Sequence, residues 1–168
     1  TLELGGKSPQ ILFEDADIAA ALPFLINAGI QNAGQTCSAS SRILVQRGLY
    51  DAIVEAMAAR YQALVAKPAI EDGDLGPLIS QRQKAIVENF LSQGHDLTLA
   101  ATGQISDSAP AAGAYVKPHL FCDVAPSHTL AQQEIFGPVQ VIIPFDSDED
   151  ALEIANGTDY GLVASLWT

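Results

Sequence analysis

The sequence predicts an α/β fold in which an open, mainly parallel sheet carries helices on both of its faces. Apolar segments of strand length alternate with amphipathic segments of helix length along nearly the whole chain. That alternation is typical of parallel strands that are joined by crossover helices. The 168 residues suffice for about one domain, and no internal repeat or linker divides them.

The N-terminal half contains two predicted strand–helix units. The first is a short buried strand over 8–13, followed by a helix over 14–32 whose acidic residues are expected to lie in its first turn, where they complement the helix dipole. Pro23 lies inside this helix and predicts a kink or a break. The second unit is a strand over 42–46, followed by an amphipathic helix over 50–66.

The C-terminal half continues the pattern less regularly. A third helix is predicted over about 80–93, and the strongest strand of the chain over 137–145. Pro118 indicates an edge strand or an irregular stretch. Ser147 is the expected N-cap of a helix that ends before Gly157. The remaining segments are a strand at DLTLAATG, an exposed flexible loop at QISDSAPAAGA, an extended stretch at YVKPHLFCDV, the capped helix at SDEDALEIANG and a last strand at LVASLW.

The composition excludes several classes of function. Twenty acidic residues against eight basic ones give a net charge of −12, so the chain has no basic stripe for nucleic acid. No apolar run approaches the roughly 20 residues that span a membrane. Two cysteines and no resemblance to a signal peptide predict a reduced, cytoplasmic setting. Because the chain begins at Thr1 and stops in an apolar run, we expect a piece of a longer protein, truncated at both ends.

Cys37, in the stretch GQTCSASSR, is the candidate nucleophile. A free cysteine is usually a small buried hydrophobe, but this one follows Gly34, which permits close approach of the backbone. Thr36 could cap a following helical turn, and a thiol at a helix N-terminus has a lowered pKa. Arg42 would add to this effect if it faced the thiol rather than away from it. We expect the loop that carries Cys37 to lie beyond the carboxyl ends of the strands, where ligands bind in such sheets.

A thiol nucleophile also needs a base that activates water for release of the acyl group. Glu3 is a lone acid in the apolar run LELGGK, and Glu134 stands beside an aromatic residue and a Gly-Pro turn. Partial desolvation would raise the pKa of either carboxylate, but ordinary solvation explains each equally well. The three histidines lack metal-ligand spacing, so we expect neither a catalytic histidine nor a metal site. Cys122, between apolar residues, is expected to be structural.

Three motifs, in this order and spacing, resemble the NAD(P)-dependent aldehyde dehydrogenase superfamily. They are LELGGKSP, then GQTC about 34 residues later, then QEIFGPV about 97 residues after the cysteine. Secondary matches fill the intervals, so the resemblance covers essentially the whole chain. These matches are FEDADI, GPLIS, GAYVKPHLF and ANGTDYGLVASLWT.

The resemblance implies the oxidation of an aldehyde to a carboxylic acid with NAD or NADP. Cys37 would attack the aldehyde, hydride would pass to the nicotinamide, and Glu3 would activate the water that releases the acid from a thioester. Glu134 would hydrogen-bond the nicotinamide ribose, with Phe136 beside it against the cofactor. The remaining implied cofactor contacts are Leu4 and Gly5.

The resemblance also implies that much of the enzyme lies elsewhere. The dinucleotide-binding domain of this superfamily lies mostly upstream of LELGGK, and no G-x-G-x-x-G turn occurs in the sequence. Residues 1–168 are therefore predicted to be a single partial catalytic domain of the aldehyde dehydrogenase type, with little activity alone. The full enzyme would act on a small-molecule aldehyde as a homo-oligomer, a dimer or a tetramer.

Three alternatives stay open at this point. In a CoA-acylating aldehyde dehydrogenase, a thiol replaces water in the second step, and the retention of Glu3 argues only weakly against it. A cofactor-independent thiol esterase would use Cys37 and Glu3 but has no reason to carry EIFGPV. A non-catalytic module would have a Cys37 of ordinary reactivity.

Overall fold

The computed structural model describes residues 1–2 and 4–168, and in it a six-stranded sheet carries helices on both faces. The strands are β1 (Pro9–Leu12), β2 (Arg42–Gln46), β3 (Val65–Ala66), β4 (Thr98–Thr102), β5 (Gln104–Ile105), β6 (His119–Cys122), β7 (Val139–Phe145) and β8 (Ser165–Trp167). The α-helices are α1 (Ile18–Ile30), α2 (Tyr50–Ala63), α3 (Gln81–Ser92), α4 (Thr129–Gln132) and α5 (Asp148–Asn156).

The order of the large sheet is β4-β6-β7-β2-β1-β8. All neighbours in it are parallel except β4, which pairs antiparallel with β6 at one edge. The predicted fold class is therefore confirmed. No helix in the part of the chain that the structure describes is long and apolar enough to cross a membrane.

Alternate residues of the central strands build two hydrophobic cores, one on each face of the sheet. On β2, Ile43 and Val45 face the core that contains α1 and α2, whereas Leu44 faces the core that contains α3, α4 and α5. All three side chains are fully buried. This burial on both faces is the reason that the strands of a parallel sheet are almost continuously apolar in sequence.

The first helix differs from its prediction in two respects. α1 runs as one helix through Pro23, so of the predicted kink or break the break is absent. A proline at this position removes one backbone hydrogen bond, and the buried side chains of Leu25 and Ile26 hold the second half of the helix against the sheet. The first turn contains no acidic residue; instead Asp17 precedes it as N-cap and accepts a hydrogen bond from the Ala20 N–H at 3.1 Å.

Two short strands were missed because their partners are distant in sequence. The second helix ends at Ala63 rather than at residue 66, and β3 then pairs in parallel with β5. The predicted flexible loop therefore begins with a strand. Pro118 is not in an edge strand, since β6 lies between β4 and β7. It precedes β6, and its carbonyl accepts a hydrogen bond from the Gly103 N–H at 2.9 Å.

Other predicted elements agree with the structure. The third helix, the strands at DLTLAATG and 137–145, and the last strand, shortened to Ser165–Trp167, are all present. Ser147 caps α5 as expected, because its hydroxyl accepts a hydrogen bond from the Asp150 N–H at 3.2 Å.

A buried polar network joins the helices to the strand that the sequence marks as strongest. The amide of Gln140, on β7, accepts a hydrogen bond from the Tyr61 hydroxyl at 2.5 Å. It donates to the carbonyls of Leu25 at 3.0 Å and Ser40 at 2.7 Å. Gln140 and Tyr61 are both fully buried. The network therefore ties α1, α2 and the loop before β2 to the centre of the sheet.

We expect Tyr61→Phe to lower the free energy of unfolding by about 1–3 kcal/mol, because it leaves the buried Gln140 oxygen without its donor. Urea denaturation followed by circular dichroism measures the change. Tyr115→Phe is the matched control, since Tyr115 is buried but its hydroxyl bonds to no described residue. Equal losses in the two variants would contradict a stabilising role for this hydrogen bond.

Candidate active site

The three sequence motifs meet at the amino-terminal ends of three adjacent strands. Gly6 precedes β1, Cys37 precedes β2 and Glu134 precedes β7, and β7-β2-β1 are neighbours in the sheet. The prediction that Cys37 lies beyond the carboxyl ends of the strands is therefore wrong. The reason is that α1 returns the chain from the carboxyl end of β1 to the opposite edge before Cys37 is reached.

Two glycines allow the motifs to approach each other through their backbones. A Cβ on Gly6 would lie well inside 3.0 Å of the carbonyl oxygen of Cys37, a distance that real Cβ atoms essentially never show. A Cβ on Gly34 would collide in the same way with the carbonyl oxygen of Gly137, and Gly34 also has a positive φ of 75°. LELGGK therefore touches the cysteine loop, which in turn touches EIFGPV.

Cys37 lies in an exposed tight turn rather than at a helix terminus. The Ala39 N–H donates to the Thr36 carbonyl at 2.9 Å, which closes the turn around the cysteine. The predicted helical turn capped by Thr36 is therefore absent. Cys122 is buried in β6, and burial raises the pKa of its thiol to about 11. The expectation that Cys122 is structural is confirmed, and Cys37 is the thiol that a solute can reach.

Arg42 faces away from the thiol. Its guanidinium donates to the carbonyls of Lys7 at 2.8 Å, Ile154 at 2.7 Å and Ala155 at 2.8 Å. The last two belong to the C-terminal turn of α5, where a positive charge complements the helix dipole. Burial lowers the pKa of Arg42 to about 10, so that it remains charged at neutral pH. Its function is to fasten α5 to the start of β2.

Glu134 is held in place by the glycines of the first motif. Its Oε1 accepts a hydrogen bond from the Gly6 N–H at 2.8 Å, and a Cβ on Gly5 would lie 2.8 Å from its Oε2. Phe136 has a positive φ of 57° and a partly exposed ring. The Phe136 carbonyl accepts from the Gln83 amide at 3.1 Å, which fixes this unusual turn. A carboxylate, an exposed aromatic ring and a glycine backbone thus share one surface.

The two other predicted site residues are Leu4 and Glu3. Leu4 is 61% exposed. Glu3 lies outside the residues that the structure describes. A charged residue that sequence reasoning missed is Lys7, which is only 2% exposed. The one feature of the sequence that could have drawn attention to Lys7 is its position directly after the two glycines of LELGGK.

The histidines make their contacts elsewhere. His128 caps α4, where its Nδ1 accepts from the Leu130 N–H at 3.0 Å. His119 lies at the start of β6, and burial lowers its pKa. His95 is exposed after α3, with its Nδ1 3.1 Å from the Ser92 carbonyl. Within residues 1–2 and 4–168, no three His, Cys, Asp or Glu side chains are grouped so as to hold a metal ion.

A sequence model of the aldehyde dehydrogenase family matches residues 1–168, the whole of the chain. The chain belongs to the aldehyde dehydrogenase family. A Burkholderia cenocepacia protein of known structure is 52% identical over all of this chain, with a TM-score of 0.98, and this chain covers 36% of it. An aldehyde dehydrogenase from Mycobacterium tuberculosis, solved with NAD⁺, is 44% identical over the whole chain, with a TM-score of 0.93 and 35% of its own length covered.

A betaine aldehyde dehydrogenase from Cereibacter sphaeroides is 38% identical to this chain over the whole length of the chain. The match covers 35% of that relative. The chain thus spans about a third of the length of the family members to which it is similar.

Proposed function

We propose that the protein containing this chain oxidises a small-molecule aldehyde to a carboxylic acid with NAD or NADP, and that Cys37 is its nucleophile. The observation that carries the proposal is the convergence of the three motifs at the start of β1, β2 and β7. An exposed thiol, a glycine backbone and an oriented carboxylate meet there. Membership of the family supplies the reaction class, and the exposed turn supplies the reacting atom.

The Cys37 turn suits nucleophilic attack on a carbonyl. The thiolate adds to the aldehyde carbon and the carbonyl oxygen takes up negative charge. The N–H groups of Cys37 and Ser38 donate to no acceptor in the described part of the chain, so they are available to stabilise that oxyanion. Loss of hydride leaves a thioester on Cys37, and water then releases the carboxylic acid.

The residues around Glu134 fit a nicotinamide nucleoside. The Oε2 of Glu134 accepts from no described residue, so it can receive a ribose hydroxyl while Oε1 stays bonded to the Gly6 N–H. The exposed ring of Phe136 offers an apolar surface beside it. Gly5 lets the backbone approach, and Leu4 adds exposed apolar area. When bound, the nicotinamide supplies a hydride acceptor.

Glu3 is proposed as the base that activates water for release of the acid. The support for this role is its place in the motif, three residues before Gly6, which packs against the carbonyl of Cys37. A carboxylate is one of the side chains that act as general bases toward water.

The further features of the whole enzyme are also proposals. We place it in the cytoplasm and expect a dimer or a tetramer. We expect residues 1–168 to be one partial catalytic domain that turns over little alone, because the dinucleotide-binding domain of the superfamily lies mostly upstream of LELGGK.

Acylation by p-nitrophenyl acetate tests the site without a cofactor. We expect mass spectrometry to find an acetyl thioester on Cys37 of this chain, no acetyl thioester in Cys37→Ala, and a longer-lived thioester in Glu3→Gln. Cys122→Ala is the matched control and should acylate like the parent chain, because Cys122 is buried. Labelling of Cys37 no faster than that of Cys122 would contradict the proposed nucleophile. NADH formation by the full-length protein with an aldehyde tests the overall reaction.

A further inference from the structure

Lys7 presents an unexplained buried amine. Its side chain is only 2% exposed, and its Nζ has no hydrogen-bond partner among the residues that the structure describes. Buried polar groups are nearly always paired in folded proteins, so an unpaired amine indicates either a missing partner or a chemical role. The proposed oxidation of aldehydes uses Cys37, Glu3 and Glu134 and gives Lys7 no part.

A cavity of about 260 Å³ is lined in part by Lys7. Its lining also includes Arg42, the last two residues of α5 and the segment 160–164. Residues 161–164 are exposed, so a small solute can reach the cavity from that side. The flexible four-carbon side chain of lysine allows Nζ to turn into such a space.

The charged and titratable groups around Lys7 come from three segments of the chain. Arg42 lies on β2, Glu134 precedes β7, and Tyr160 lies in the cavity wall. The pKa of Lys7 is lowered to about 7. Burial is the largest cause, the charge of Arg42 also lowers the pKa, and the charge of Glu134 raises it. A large fraction of the amine is therefore neutral near pH 7. Burial and a neighbouring cation are the two factors that activate lysine nucleophiles in enzymes.

We propose that Lys7 is a second aldehyde-reactive site, which forms a Schiff base with small aldehydes that enter this cavity. The site requires neither Cys37 nor a nicotinamide cofactor. It lies on the α5 side of β1 and β2, where the Lys7 carbonyl and the end of α5 are joined by Arg42. The chain thus carries a reversible amine site one residue after Gly6, which packs against the carbonyl of Cys37.

The chemistry is a condensation without oxidation or reduction. The lone pair of Nζ forms a bond with the aldehyde carbon, and a proton moves from nitrogen to the carbonyl oxygen to give a carbinolamine. The C–O bond then breaks, the departing hydroxyl takes the remaining nitrogen proton and leaves as water, and a C=N bond remains. Water reverses the reaction. Cyanoborohydride delivers a hydride to the imine carbon and converts the adduct into a stable secondary amine.

Reductive trapping tests this proposal. The chain is incubated with propionaldehyde and sodium cyanoborohydride at pH 7, and propylated lysines are located by peptide mass spectrometry over time. We expect Lys7 to be modified at least about tenfold faster than an ordinary lysine, whose amine is protonated at this pH. The internal standards are the three other lysines of the chain, Lys67, Lys84 and Lys117.

Two variants separate this site from the proposed oxidation site. Cys37→Ala should retain the rapid modification of Lys7, whereas Lys7→Met should lose it and still be acylated at Cys37. Circular dichroism is used to check that both variants are folded. Modification of Lys7 no faster than that of the other lysines would overturn the proposal, as would a Lys7 adduct that disappears in Cys37→Ala. Failure of Cys37 to acylate, with Lys7 still trapped, would contradict only the proposed function.

Discussion

Gly6→Ala is expected to lower the rate of Cys37 acylation by about 10²-fold or more, although Gly6 carries no reacting group. The added Cβ would lie well inside 3.0 Å of the carbonyl oxygen of Cys37, a backbone atom that cannot rotate out of the way. Either β1 or the cysteine turn has to shift, and a displacement of about 1 Å is enough to cost a catalytic group this much. The shift would also weaken the hydrogen bond from the Gly6 N–H to Glu134.

The measurement is the initial rate of p-nitrophenol release in the variant and the parent chain, with the adduct located by mass spectrometry. Gly76→Ala is the matched control, because a Cβ at Gly76 meets nothing within 4 Å. It should acylate at the parental rate. Urea unfolding of both variants distinguishes a displaced site from an unfolded chain. A Gly6→Ala variant that is folded and acylates at the parental rate would show that the contact does not position Cys37.

The sequence predicts the fold well because its signals are local. β2 and β7 are apolar runs that are buried on both faces, and Ser147 caps α5 through a contact only three residues away. β3 and β5 have no such signal, since each is two residues long and depends on a partner about 40 residues away. The continuity of α1 through Pro23 likewise depends on packing against the sheet, which the local sequence does not encode.

In the site, too, features that depend on neighbouring residues were predictable, and features that depend on contacts distant in sequence were not. The three motifs that contain Cys37 and Glu134 do come together in the fold, but the general tendency of ligands to bind at the carboxyl ends of parallel strands gave the wrong edge of the sheet. The position of Arg42 was also open, because its acceptors Ile154 and Ala155 lie more than 100 residues away in sequence. The burial of Lys7 is likewise a long-range feature, because residues 155, 156 and 160–164 line the same cavity.

Lys7→Met is expected to stabilise the fold at pH 6 by roughly 3–5 kcal/mol, since it removes a charged amine that the folded state must bury. The pKa of Lys7 is about 7 in the folded chain, against an ordinary value of 10.5. Between these values the unfolded chain binds more protons than the folded one, so raising the pH favours the folded state. At pH 6 both states are protonated and the whole penalty is present, and above the ordinary pKa it vanishes.

The stability difference between Lys7→Met and the parent chain should therefore shrink by about 2–3 kcal/mol between pH 6 and pH 9. Urea denaturation at several pH values measures it. Cys122 and Tyr50 have raised pKa values, so their ionisation destabilises the fold at higher pH, but both are present in the two chains and cancel in the difference. A difference that does not change with pH would mean that Lys7 keeps an ordinary pKa in the folded chain. The neutral amine on which rapid imine formation depends would then be absent, so trapping and denaturation test one property of Lys7 by independent routes.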